Sequence, residues 1–97
     1  MSGEMFIGTA CPSSRSYYIV PKETIRVNLE ILAEKLAEKG WKIKKKSKGI
    51  LIASKEHTIA VFPTGKILIR DVIEEDLAKR IGEEVFPLVL KSKITRS

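Results

Sequence analysis

The sequence predicts an α+β domain, in the order strand, helix, four strands, helix. Three observations carry this: an apolar stripe at helical spacing within residues 22–39, a second one from Ile73 to Val85, and a period of two across residues 41–70. At 97 residues the chain suits one domain around one hydrophobic core. That domain is expected to span 1–97, with its packed part at about 5–91 and a flexible tail at 92–97. With 43% hydrophobic and 31% charged residues, the composition is well clear of the sparse, highly charged kind that leaves a chain unfolded. Its reliance on Lys, Glu and Ile fits a protein from a hot environment.

Two strand-like pieces open the chain, MFIGTA (5–10) and SYYIV (16–20), with CPSSR between them. One of them, or both as a bent strand, would complete a sheet of about five strands. In KETIRVNLEILAEKLAEK (22–39), Ile25, Leu29, Leu32 and Leu36 recur at spacings of four, three and four, the stripe of an amphipathic helix. Pro21 suits its first turn, and Gly40 suits the position just past its end, where a left-handed backbone is needed.

From Trp41 onward Ile43, Ile50 and Ile52 alternate with Lys42, Lys44, Leu51 and Ala53, which gives two strands joined around 46–49. Parity makes Trp41 a core residue together with Ile43. HTIAVFPTGKILIRD (57–71) is a second pair, with Pro63 and Gly65 as the second and fourth residues of a type I turn, joined by a glycine bulge. Asp71 stands three residues before Glu74, a capping-box-like start for a helix marked by Ile73, Leu77, Ile81 and Val85. Pro87 should kink that helix near residue 86, or stop it and restart it as LVLKSK.

Charge is distributed unevenly. The net value is +6, yet residues 1–40 balance at five basic and five acidic, residues 41–70 carry eight basic and one acidic, and residues 71–97 carry five basic and six acidic. All of the excess lies on the predicted strands 41–70. A single cysteine, Cys11, rules out an internal disulfide and any zinc site built from several thiolates. The N-terminal MSGEMFIGTA lacks a basic stretch followed by a long apolar run, and no segment approaches the ~18 apolar residues of a membrane span. A cytoplasmic protein without membrane attachment, cofactor or metal is the expectation.

The hairpin TIAVFPTGKILI, the acidic helix start EED (74–76) and the run VFPLVLK (85–91) together resemble one half-repeat of the TATA-box-binding protein family. The likeness covers roughly residues 57–91 and extends to the rest in topology only. It implies a curved antiparallel sheet with two helices packed on one face, β-α-β-β-β-β-α, and an opposite face left open; in that family the open face lies on the DNA minor groove. This explains why the hairpin is apolar on both sides. Ile59, Val61, Ile67 and Ile69 would face the helices, each stabilising by about 1.5–3 kcal/mol. Thr58, Ala60, Phe62, Leu68 and Arg70 would point the other way, joined by Leu51, Ala53, Lys42 and Lys44. A family member carries two halves and paired Phe wedges, whereas this chain has one half, Phe62 alone at a wedge position, and lysines in KKKSKG (44–49) where the companion tip should fall.

The resulting expectation is a module that binds nucleic acid, DNA in preference to RNA, weakly and with little regard to sequence. Lys42, Lys44, Lys46, Lys66 and Arg70 would contact phosphates, and Leu51, Ala60, Phe62 and Leu68 would make apolar contact. A competing expectation has the same face buried on a protein partner or on a second copy, which would rebuild the saddle by symmetry. A third centres on Cys11, Arg15 and Ser16 as an anion-holding loop; the spacing does not fit a Cys-x5-Arg phosphatase loop, and a plain surface loop is its alternative. His57 stands alone and reads as a strand-start residue. No paired nucleophile and base is visible, so enzymatic activity is not expected.

Overall fold

One antiparallel sheet and two helices make up the computed structural model, which describes residues 6–11, 15–23, 25–72 and 74–94. The elements are β1 (Phe6–Cys11), β2 (Ser16–Pro21), α1 (Leu29–Glu38), β3 (Lys42–Lys46), β4 (Leu51–Ser54), β5 (Thr58–Val61), β6 (Ile67–Arg70) and α2 (Glu75–Lys91). The fold is α+β, and the sheet has six strands in the order β1-β2-β6-β5-β4-β3. It exceeds the expected five because both N-terminal pieces are strands, paired from Phe6↔Pro21 to Cys11↔Ser16. Met5 and residues 12–14 of the loop between them lie outside the described residues.

The first helix begins at Leu29, four residues after Ile25, where its apolar stripe begins. Asn28 caps it, its side-chain oxygen accepting from the amides of Glu30 (2.9 Å) and Ile31 (3.2 Å). Pro21, expected in the first turn, instead ends β2. The backbone of the intervening segment is spent elsewhere: Val27 donates to the Pro63 carbonyl (2.8 Å), Asn28 to that of Ser92 (2.9 Å), and Ile94 donates to that of Arg26 (2.7 Å). Of the tail expected at 92–97, residues 92–94 are bonded to this segment, with Lys93 paired to Val27 and Ser92 buried, and residues 95–97 lie outside the described residues. At its other end α1 stops as predicted. Gly40 has φ 95° and donates to the Ala37 carbonyl, while Trp41 donates to that of Leu36, which is the Schellman arrangement.

Helix α2 starts at Glu75 with Glu74 as its cap residue, so Asp71 is not the cap. Asp71 lies at φ 60° in the link from β6, a conformation that its short polar side chain tolerates. Ile73, expected in the stripe, lies outside the described residues. Pro87 does not stop the helix, which runs on through it to Lys91 without a restart. Proline there removes one amide from the ladder, the one that would donate to the carbonyl of Glu83 one turn back, and both residues are exposed.

Both helices pack on the same side of the sheet. From the strands come Tyr17, Ile19, Leu51, Ala53, Ile59, Val61, Ile67 and Ile69, each at most 5% exposed, against Leu32, Leu36, Val85 and Val89 of the helices. Trp41 is in this core as predicted. Gly8, exposed on β1, lets the buried Tyr17 ring lie against the strand, since a Cβ there would stand 2.6 Å from that ring.

Candidate nucleic-acid interface

The sheet face turned away from the helices is the candidate site. Its register runs across five strands in one row, Tyr18↔Leu68↔Ala60↔Ile52↔Lys45. Cross-strand partners project to the same side, so these five share the open face. Tyr18, Leu68 and Ile52 are half-buried and Lys45 is exposed. Ala60 is only 4% exposed although it lies on this face, because a methyl group sits below the larger side chains on either side. Neighbouring positions add Phe62 and Lys66 at one end and Lys42, Arg70, Ser54 and Thr58 at the other.

Phe62 is held by its turn. Its amide donates to the Lys66 carbonyl (2.9 Å), and the Gly65 amide donates to its carbonyl (2.8 Å). Gly65 takes φ 89° and is buried, with Ile25 and Pro21 so close that a Cβ would stand 2.7 Å from the Ile25 Cδ1. With the Pro63 carbonyl also engaged by Val27, the turn is fastened from both sides, and the Phe62 ring projects from a fixed base. This turn has the form predicted from FPTG. The ammonium of Lys66 lies 4.5 Å from the Tyr18 ring centroid and 6.0 Å from that of Phe62, a cation placed between two aromatic faces.

Two expected members of the face are on the wrong side. Leu51 pairs with Val61 and is fully buried among core residues, and Ala53 pairs with Ile59 and is likewise sealed; Ile52 and Ser54 take their places. Lys46 is exposed, but its pairing with Leu51 gives it the parity of the helix-covered side. The cause is a bulge in β3. Ile43 pairs with Ala53 and Lys45 with Ile52, so Lys44 has no cross-strand partner and the parity flips after it. Lys42 and Lys45 therefore flank the open face; Lys44, exposed, is the extra residue.

Sequence reasoning missed Tyr18, Ile52 and Lys45. For Tyr18 the signal was present: in SYYIV, Tyr17 and Ile19 share one parity and Tyr18 and Val20 the other. Not all of the basic residues serve this face. The Lys55 ammonium bonds the Glu84 carboxylate (3.1 Å), which also accepts from the Trp41 indole N–H (3.3 Å), on the helix side. That contact ties the β4–β5 turn to α2, and His57, just before β5, lines the shallow cleft beside it. Of the Cys11, Arg15 and Ser16 group, Cys11 and Ser16 are paired at the end of the β1–β2 hairpin, Ser16 is buried, and Arg15 is exposed at φ 52°. Among the described residues no helix is long and apolar enough to cross a membrane. No protein-family model, curated protein or solved structure matches the chain.

Proposed function

We propose that this protein binds nucleic acid, DNA in preference to RNA, through the uncovered face of its sheet, with modest affinity and little sequence preference. The observation that carries the reading is the composition of that face: half-buried Tyr18, Ile52 and Leu68 in the middle and Phe62 at one end, with exposed Lys42, Lys45 and Arg70 at its margins. Cations at the margins neutralise phosphates and release counterions, a term indifferent to base identity. The apolar middle then meets sugars and bases. Resemblance to half of a TATA-box-binding protein supports the same use of the face, as does the placement of both helices on the opposite side.

The half-buried row Tyr18, Leu68 and Ile52 also favours a second reading, in which a protein partner or a second copy covers the face. Paired charge reversals separate the two. Replacing Lys45 and Arg70 by Glu should weaken DNA binding at least about tenfold, whereas replacing Lys79 and Arg80 of α2 by Glu, an equal change in net charge, should leave it within about twofold. Equal losses in both variants would reduce the interaction to bulk attraction and defeat the assignment to this face.

A further inference from the structure

Resting on that reading of the face, we infer that its nucleic-acid ligand is single-stranded, with the rings of Tyr18 and Phe62 as stacking platforms for unpaired bases and Lys66 as the cation between them. The two rings stand on β2 and beside β5, with β6 between; two strand spacings across and two residues along put their backbones about 12 Å apart. Both are half-buried, leaving part of each ring open to solvent. One ammonium reaches both centroids, at 4.5 Å and 6.0 Å. Stacking needs a base with an uncovered face. In a duplex each face is already covered by the next base pair, about 3.4 Å away, while an extended single strand presents its bases freely and tolerates any sequence.

The geometry argues against a kinked duplex. Wedging needs apolar side chains driven between base steps, and the β3–β4 tip beside the Phe62 turn carries Lys46, Ser47 and Lys48, all exposed. Leu51, which would have extended an apolar wedge surface, is sealed in the core. What remains is a pair of rings lying on a sheet, one of them on a turn pinned by Gly65 and Val27. Lys66, just before β6, is placed to exchange its hold on the rings for a phosphate when a strand arrives.

The test is fluorescence anisotropy at low salt with a short oligothymidylate and with a hairpin duplex of equal phosphate count. The single strand should bind about tenfold or more tightly than the duplex, and Tyr18→Ala and Phe62→Ala should each cost about tenfold on the single strand. Tyr18→Phe, which keeps the ring, should bind more tightly than Tyr18→Ala, and circular dichroism of each variant checks that the fold is intact. Duplex binding equal to or tighter than single-strand binding would overturn the inference while leaving the broader nucleic-acid reading in place. Alanine variants that fold and bind unchanged would overturn it too. Binding to neither probe would remove both.

Discussion

Leu51 and Leu68 are the same residue type on adjoining parts of the sheet, and they serve opposite faces. Leu51 is fully buried beneath the helices, so Leu51→Ala should destabilise by about 2–5 kcal/mol through lost burial and an unfilled cavity. Leu68, half-buried on the open face, should cost only about 1 kcal/mol on truncation. Urea unfolding of the two variants reads the difference, and equal costs would show that the face assignment is wrong. The sequence does not distinguish these leucines on its own. In ILIAS four apolar residues run without a polar one, so parity has nothing to mark it. Four lysines in KIKKK hide the bulge for the same reason, since a row of identical side chains has no readable register. Where the two parities differ in size or polarity, as in TIAV and ILIR, the reading of faces agrees with the structure.

At the level of elements, spacing located both helices, and their ends followed from tertiary bonds. Ile25 continues the α1 stripe numerically, but it packs against Gly65 from a non-helical segment whose amides are bonded to the Phe62–Gly65 turn and the C-terminal residues. No local propensity announces such long-range pairing. The α1 C-terminus was legible because Gly40 acts locally, through its own φ. Pro87 shows the converse case. A helix held by Val85, Phe86, Leu88 and Val89 in the core continues past a proline, so that proline is a retained cost. Since Pro87 is exposed, Pro87→Ala should stabilise the domain by about 1–3 kcal/mol by restoring one helical hydrogen bond, read as a higher thermal midpoint. A lower midpoint would show that the ring makes contacts of its own.

Across the whole molecule, the two sides of the sheet differ in chemistry. One is covered by helices on which Glu30, Glu34, Glu38, Glu75, Asp76, Glu83 and Glu84 outnumber Lys35, Lys79, Arg80 and Lys91; the other, which no helix among the described residues covers, carries exposed Lys42 and Lys45 on β3 and Arg70 at the end of β6. This polarity was legible from counting charges along the chain, because the basic excess coincides with the strands. The bare face itself was reached through a resemblance, since one chain read alone does not reveal what its helices leave uncovered. On the proposed reading this asymmetry would steer a polyanion toward the uncovered side. The most direct measurement is the dissociation constant for a short DNA over a salt series. It should rise about tenfold or more between roughly 50 and 200 mM salt. A constant that does not move with salt, or no binding at the lowest salt, would contradict a phosphate-contacting face.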